Sequence, residues 1–245
     1  NTNSQMFRHP IGKESLFANL AVASILSTVA GMVNVVGFMA IQKLTTNVTG
    51  HFAFFIEAFD RFQLWEGIIY LYYIFFFLLG AFSSNLLIEW LIRTARKYAF
   101  SVPVLVEILL LSVTGLWMPE LMQKNPDAIA FLLLFSMGLQ NALVTKISKA
   151  TVRTTHLTGL FTDLGIELSQ LIFYKLPEQQ AQLWSSVKLR LTIISFFFLG
   201  GITGGVFYIR IGLKVLLLAA LVLISTIVYD FLKYRWLLFH RRHRA

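Results

Sequence analysis

Residues 45–52 read Thr-Thr-Asn-Val-Thr-Gly-His-Phe, and residues 154–161 read Thr-Thr-His-Leu-Thr-Gly-Leu-Phe, with five of the eight positions identical. Hydrophobicity alone does not select threonine or glycine, so this match indicates an internal duplication. Matching elements flank both copies in the same order. They are Gly31–Asn34 and Gly138–Asn141 upstream, and Phe75–Gly80 and Phe196–Gly201 downstream. The chain is therefore predicted to contain two copies of one unit.

The composition places both copies in a membrane. The 245 residues are 57% hydrophobic, 15% aromatic and 13% charged, with a mean hydropathy of +0.70. A soluble domain is about 45–50% apolar and about 25% charged, and it could not cover this much apolar surface with polar atoms. The net charge of +9 is assigned to cytoplasmic loops rather than to a nucleic-acid surface. The sequence has no cysteine, which excludes disulfides and thiolate chemistry.

Six apolar segments are long enough to cross a bilayer, at about 20 residues per crossing. They are Leu16–Ile41, Gly67–Leu91, Ser101–Met118, Ala128–Val144, Leu189–Ile209 and Val215–Leu232. None alternates with period two, so helices are predicted rather than barrel strands. Two shorter stretches, Gly50–Asp60 and Gly159–Tyr174, are interpreted as re-entrant half-helices or as interfacial helices.

The distribution of basic residues favours six spans with both termini in the cytoplasm. This arrangement puts 16 Lys and Arg inside and 5 outside, whereas eight spans would give 12 and 9. Cytoplasmic loops carry the excess of positive charge in membrane proteins. The predicted division is a cytoplasmic segment 1–15, repeat 1 over 16–118, a linker 119–127, repeat 2 over 128–232, and a basic cytoplasmic tail 233–245.

The two copies are predicted to lie upside down relative to each other. Each contains three spans, and an odd number of crossings inverts the copy that follows. Inverted repeats are a recurrent plan of secondary transporters, whose substrate sites lie near the midplane at discontinuous helices. The fold class is therefore an all-α integral membrane protein of six transmembrane helices in two inverted three-helix repeats. Each repeat also carries a short half-helix or interfacial helix that begins at Thr-Gly.

The same motifs carry a family resemblance. Residues 31–38 with Thr49-Gly50, and residues 138–142 with 152–164, resemble the YoaK-type family of small, uncharacterised bacterial inner-membrane proteins. The resemblance extends from about Leu16 to Leu232 and implies a multi-pass protein of the bacterial cytoplasmic membrane. The family usually has an acidic residue where this chain has Asn34, and an asparagine where it has His51.

The paired Thr-Gly motifs are the candidate site. Threonine is a good N-cap, and Thr49 and Thr158 each precede a predicted helix start. If the loops dip inward, two positive helix ends approach each other and favour an anion or a carboxylate, with Arg153 nearby. Asn34, Gln140 and Asn141 could contact substrate or bond across helices. The predicted substrate-binding residues are Asn34, Thr45, Thr46, Thr49, Gly50, Gln140, Asn141, Thr154, Thr155, Thr158, Gly159 and Asp163.

Two further features have alternative interpretations. Glu107 lies in the middle of an apolar span, where it could carry a coupling proton or hydrogen-bond to a neighbouring helix. Gly200 and Gly204 are four residues apart, a pattern that packs helices closely. They could join the two repeats, or join two protomers in a homodimer. His51 and His156 lack companion ligands, so no metal or other cofactor is expected.

These observations predict a small-solute transporter with a midplane site between inverted repeats, for an anion or carboxylate and with or without proton coupling. An anion-selective channel and a membrane scaffold or assembly factor are the alternatives. No enzyme is expected, because no catalytic constellation has the required spacing. The expected partners are the lipid bilayer and a small-molecule or ion substrate.

Overall fold

The computed structural model describes residues 16–95, 98–117, 120, 124–147 and 154–242, with side chains described between residues 20 and 232 of these ranges. The described residues form α-helices joined by short loops and 3-10 segments, and contain no strand. The helices are α1 (Leu16–Ile41), α2 (Val48–Asp60), α3 (Leu64–Thr94), α4 (Ser101–Trp117), α5 (Pro126–Ile147), α6 (Leu157–Phe173), α7 (Pro177–Ile211) and α8 (Leu216–Arg242). The predicted cytoplasmic segment 1–15 and residues 119 and 121–123 of the predicted linker 119–127 lie outside the described residues.

Within the described residues, four segments are long and apolar enough to cross a membrane. They are Leu20–Ile41, Leu64–Thr94, Pro126–Ile147 and Pro177–Leu232. The last has 56 residues and includes α7, the 3-10 turn and most of α8. Gly212 separates these two helices with φ +58, a left-handed conformation that glycine adopts readily. α4 is apolar but only 17 residues long. The chain is thus an all-helical membrane protein with four candidate spans.

α1 and α7 pack with their backbones almost in contact. A Cβ on Gly31 of α1 would overlap the carbonyl oxygen of Phe197, and a Cβ on Gly200 of α7 would overlap that of Thr28. Only glycine fits at either position. Gly204, one turn further along α7, is buried against Met32 of α1.

α3 and α5 pack in the same way. A Cβ on Gly80 would overlap the carbonyl oxygen of Phe135, and a Cβ on Gly138 would overlap that of Phe77. These contacts make Gly80 the counterpart of Gly200. The sequence comparison had aligned Gly80 with Gly201, which is wrong by one residue. Phenylalanine-rich runs match whether Gly80 is aligned with Gly200 or with Gly201, so only the helix packing determines the correct alignment.

The glycines of α7 therefore pack within the chain. Gly200 and Gly204 are both buried against α1, so a homodimer formed through them has no support. Of the two alternatives predicted for this pattern, the structure shows the packing of one half against the other.

The contacts also fix the directions of the long helices. Gln140 of α5 contacts Leu26 of α1, and Leu133 of α5 lies next to Gly37 of α1. The residue numbers run in opposite senses, so α1 and α5 are antiparallel. In the α1–α7 pair Thr28 lies against Gly200 and Met32 against Gly204. In the α3–α5 pair Tyr73 contacts Asp127 and Glu89 contacts Lys146. The numbers rise together in both pairs, so the helices of each pair are parallel.

Candidate functional site

The loop after α1 folds back along that helix. The Thr46 hydroxyl donates to Asn34 Oδ1 at 2.7 Å, and the Thr45 hydroxyl donates to the Val33 carbonyl at 3.2 Å. Asn34 lies seven residues before the end of α1 at Ile41, which is about 10 Å along the helix axis. The following helix, α2, consequently begins beside α1 rather than beyond its end.

The second half repeats this arrangement. The Thr155 hydroxyl donates to Asn141 Oδ1 at 2.8 Å, and Asn141 lies six residues before the end of α5 at Ile147. Thr154, the counterpart of Thr45, is fully buried, and its hydroxyl has no hydrogen-bond partner among the described residues. Arg153, predicted as a charge partner, lies outside the described residues. In each half, a loop threonine thus forms a hydrogen bond with the asparagine at the end of the Gly/Asn element of that half.

The helix starts differ from the prediction. Thr49 and Thr158 were expected to be N-caps, but Asn47 and His156 occupy the cap positions. Asn47 Oδ1 accepts from the Gly50 N–H at 3.1 Å and from the Thr49 hydroxyl at 2.6 Å. Asparagine is at least as good a cap as threonine, and Gly50 is the third residue of the helix, whose N–H an N-cap side chain typically accepts from.

His156 caps α6 without a side-chain hydrogen bond. Its imidazole ring lies over the first turn of α6, where a Cβ on Gly159 would overlap the ring. Glycine at this position therefore makes room for the histidine. In the first copy, a Cβ on Gly50 would lie 2.8 Å from the Leu44 side chain, so this glycine also allows its own loop to pack closely.

Both loops open onto one cavity of about 680 Å³. Six predicted site residues line it in matching pairs. They are Asn34 and Asn141, Thr46 and Thr155, and Thr49 and Thr158. Sequence reasoning missed further lining residues, which are Leu44, Asn47, Val48, Phe77, Thr145, His156, Leu157 and Phe197. Most of these also occupy equivalent positions in the two copies, so the repeat itself was the signal that could have found them.

The remaining predicted residues do not line the cavity. Thr45 and Thr154 are buried in the loop packing, and Gly50 and Gly159 lie in the first turns of α2 and α6. Gln140 is buried and donates to the Leu26 carbonyl at 2.7 Å. For Gln140 the structure shows the interhelical hydrogen bond, one of its two predicted roles.

Asp163 also lies away from the cavity. Its carboxylate forms an ion pair with Arg190 of α7, at 3.0 Å between Oδ2 and Nη1. Glu167, one turn further along α6, accepts two hydrogen bonds from the same guanidinium. Asp163 therefore helps to dock α6 on α7, and its predicted contact with substrate stays a prediction.

Glu107 faces protein, as expected of a carboxyl group within an apolar helix. It is fully buried in α4, and neither carboxyl oxygen has a hydrogen-bond partner in the described part of the chain. It does not line the cavity. The structure therefore separates Glu107 from the paired loops.

The described lining of the cavity is polar but uncharged. It contains amides, hydroxyls, one imidazole and apolar side chains, without Asp, Glu, Lys or Arg. No three His, Asp or Glu side chains of the described ranges are grouped so that they could hold a metal ion. Such a lining can bind a small solute through hydrogen bonds and apolar contact.

Comparison with known proteins identifies a family. A family model described as a protein of unknown function, DUF1275, matches residues 22–229. The match covers both loops and every described residue that lines the cavity. No curated protein and no solved structure matches the chain.

Proposed function

The chain belongs to the DUF1275 family of proteins of unknown function, and we propose that it is a small-solute membrane transporter. The solute binds in the cavity between the two Thr-Thr-x-x-Thr-Gly loops. The observation that carries this proposal is the convergence of both loops, through matching residues, on one polar cavity of about 680 Å³. Ligand sites of transporters lie where discontinuous helices of two repeats meet.

We also propose that the chain crosses the membrane six times as two inverted repeats. The antiparallel course of α1 and α5 supports this, because these helices carry the same motifs. In the two parallel pairs, α1 with α7 and α3 with α5, the first long helix of each half packs on the second long helix of the other half. In this arrangement α2 and α6 are half-helices that enter the protein from opposite faces.

The location of the protein is part of the same proposal. The resemblance to the YoaK-type family supports a bacterial cytoplasmic membrane. The excess of basic residues in one set of loops supports cytoplasmic N- and C-termini. Glu107 supplies a buried carboxyl group that could carry a coupling proton.

Cysteine labelling tests the proposal directly, because the sequence has no cysteine. Thr46→Cys and Thr155→Cys each place one thiol at the cavity. In reconstituted vesicles, we expect a membrane-impermeant thiol reagent to modify both variants. Thr46→Cys should react faster from the outer side of the protein, and Thr155→Cys should react faster from the cytoplasmic side. Leu109→Cys is the control, since this exposed side chain of apolar α4 faces lipid in the proposed arrangement and should stay unmodified.

Two results would contradict the proposal. If neither loop variant reacts from either side, the cavity is closed to water and no solute uses it. If the protein instead conducts steady ion currents in a planar bilayer, it is a channel and not a transporter.

A further inference from the structure

His51 holds the first loop in place against the cavity. Its side chain is fully buried in the first turn of α2, and its Nε2 lies 2.5 Å from the carbonyl oxygen of Leu44. Leu44 itself lines the cavity. One hydrogen bond therefore connects a titratable side chain outside the lining to a residue of the lining.

This contact determines the tautomer of the imidazole. A carbonyl oxygen only accepts hydrogen bonds, so Nε2 carries the proton and the neutral ring has a lone pair on Nδ1. Nδ1 is buried and has no hydrogen-bond partner among the described residues. A second proton would bind at Nδ1, and the new N–H would be buried without an acceptor, which is unfavourable for a charged group above all.

A lysine ammonium shares the two tyrosine rings that contact the histidine. The rings of Tyr70 and Tyr73 in α3 have their centroids 6.1 and 4.9 Å from that of His51. The Nζ of Lys43 lies over the same two rings, 4.9 and 5.8 Å from their centroids. An imidazolium at this position would therefore be close to a like charge.

The acidic side chains of α2 and of the start of α3 face water instead of the histidine. Glu57 pairs with Arg61 at 2.7 Å, and both side chains are exposed. Asp60 and Glu66 are exposed as well. Solvent and salt screen the charges of such exposed groups, so they offset little of a charge on the buried ring.

The start of α5 adds one carboxylate to the surroundings of the ring. The Asp127 carboxylate accepts a hydrogen bond from the Tyr73 hydroxyl, and Glu120 and Lys124 in the loop before α5 are exposed. The residues of this loop outside the described ranges, 118–119 and 121–123, include no ionisable side chain. The charges on every element around the histidine are thereby accounted for.

The balance of these contacts favours the neutral ring. Burial lowers the pKa of the His51 imidazole, the hydrogen bond to Leu44 raises it, and the charge of Lys43 lowers it, with a net decrease. The Leu44 carbonyl would accept from an imidazolium too, so this bond alone does not keep the ring neutral. The buried Nδ1 and the neighbouring ammonium do.

We infer that His51 is a positioning residue that keeps the first loop closed on the cavity while its imidazole is neutral, and that binding of a proton at Nδ1 releases the loop. In the released state the Nδ1–H group donates to water. Because a solvated histidine has a pKa of about 6.5, the closed state is favoured above this pH and loses stability as the pH falls below it. This inference rests on the proposed function, since it concerns access to the same cavity.

Labelling of Thr46→Cys at pH 7.5 and pH 5.5 tests the inference on the full chain in detergent. Each rate is divided by that of glutathione with the same reagent at the same pH, which removes the pH dependence of the thiol itself. Opening that is coupled to a proton on a group with a pKa of about 6.5 increases up to about tenfold over this interval. We expect the normalised rate to rise accordingly.

His51→Gln is the variant that isolates the proton. Glutamine keeps a side-chain donor for the Leu44 carbonyl and does not titrate, so it should abolish the rise in the Thr46→Cys background. Thr155→Cys is the matched control, because it places the thiol at the equivalent position of the second half. Its pH profile should be the same with and without His51→Gln.

Melting provides a second measurement that needs no label. The Tm of the unaltered chain is compared with that of His51→Gln at both pH values. We expect the Tm of the unaltered chain to fall relative to that of the variant on going from pH 7.5 to pH 5.5, because only the unaltered chain must keep a histidine neutral.

Four results would overturn the inference. They are a Thr46→Cys rate that does not rise at pH 5.5, a rise that persists with His51→Gln, a Thr155→Cys profile that His51→Gln changes equally, or a Tm difference that is the same at both pH values. A Thr46→Cys variant that reacts at neither pH would instead contradict the proposed function, and the Tm comparison would still decide the role of His51.

Discussion

The two halves of the molecule are alike where they meet and different where each short helix docks on the long helix after it. Both halves use glycines at the contact between long helices, and both bond a loop threonine to an asparagine. Their short helices are attached differently. α2 packs on α3 through aromatic and imidazole rings, whereas α6 packs on α7 through an ion pair.

The aromatic attachment centres on His51. Its Nε2 donates to the Leu44 carbonyl at 2.5 Å, and its ring centroid lies 4.9 Å from that of Tyr73. The Tyr73 hydroxyl in turn donates to Asp127 at the start of α5. His51 thereby ties the cavity-lining loop of the first half to α3 and, through Tyr73, to α5.

The ionic attachment centres on Arg190. Its guanidinium donates two hydrogen bonds to Glu167, at 2.9 and 3.0 Å, and pairs with Asp163 at 3.0 Å. Tyr70 and Arg190 lie ten residues before Gly80 and Gly200, so the arginine replaces a tyrosine at an equivalent position. The two copies therefore have matching residues at the cavity and at the glycine contacts, and different residues where each short helix packs on the following long helix.

The largest expected effect comes from breaking what the halves share. Gly138→Ala would place a Cβ on the Phe77 carbonyl oxygen, and neither backbone can move away without separating α3 from α5. We expect a loss of about 3 kcal/mol or more of stability, visible in detergent as a lower Tm and loss of a single peak in size-exclusion chromatography.

Gly165→Ala is the matched control in α6, because a Cβ there meets nothing within 4 Å. Alanine is the better helix former by up to about 1 kcal/mol, so this variant should melt no lower than the unaltered chain. A Gly138→Ala variant that melts in the same way as the control would mean that the helices are not in backbone contact.

The next effect comes from removing the ionic attachment. Arg190→Met removes the charged partner of Glu167, whose side chain is only 12% exposed, and leaves it the hydrogen bond from the Ser186 hydroxyl at 2.6 Å. Loss of one member of a buried pair costs about 3–5 kcal/mol, and partial exposure reduces that figure to about 2 kcal/mol here. The measurement is the fall in Tm.

The exposed pair in α2 provides the control for this prediction. Arg61 and Glu57 are 65% and 51% exposed, and exposed pairs contribute at most about 1 kcal/mol. Arg61→Met should therefore change Tm far less than Arg190→Met. Equal effects would show that the α6 attachment does not depend on charge.

A smaller effect is expected from replacing His51, which attaches α2 to α3, by the residue at the equivalent position of α6. His51→Leu introduces the residue found at the equivalent position, Leu160, and removes the hydrogen bond to Leu44. We expect a loss of about 1 kcal/mol together with faster cysteine labelling in the Thr46→Cys background. His51→Gln keeps a side-chain donor, so it should restore most of both properties, and its failure to do so would argue that only ring packing matters.

The smallest effect tests whether the two loop contacts are equivalent. Thr46→Val and Thr155→Val keep the side-chain shape and remove one hydrogen bond each. We expect losses of about 0.5–1.5 kcal/mol that are similar in the two halves. A clear difference between them would show that only one loop depends on its asparagine.

Composition and the internal repeat predicted much of the molecule. The all-helical membrane character followed from the apolar composition, and the equivalence of the two loops followed from threonines and glycines that hydrophobicity does not explain. The hydrogen bonds of Thr46 to Asn34 and of Thr155 to Asn141 were not predicted. The predicted bounds of α1, Leu16–Ile41, agree with the structure, but those of other long helices do not. α7, for example, begins at Pro177 rather than Leu189, because its first turns are polar yet helical, and proline suits the start of a helix.

Other features depended on contacts that no local pattern encodes. Whether Gln140 faces the cavity or the Leu26 carbonyl is decided by how α5 is rotated against α1. The partner of Asp163 is Arg190, which lies 27 positions away in a different helix. The cap at Asn47 was missed because asparagine and threonine are both favourable N-caps and Asn47 lies only two residues before Thr49.

The inverted arrangement of the halves is tested most directly by the membrane sidedness of two turns. Arg61 follows α2 and Lys175 follows α6, and both lie in exposed turns between a short helix and a long one. Arg61→Cys and Lys175→Cys would be labelled with a membrane-impermeant maleimide, first on intact cells and then on permeabilised cells. If the halves are inverted, Arg61→Cys reacts in intact cells and Lys175→Cys reacts only after permeabilisation. If both variants react under the same condition, the turns share one side of the membrane, and the halves are not inverted.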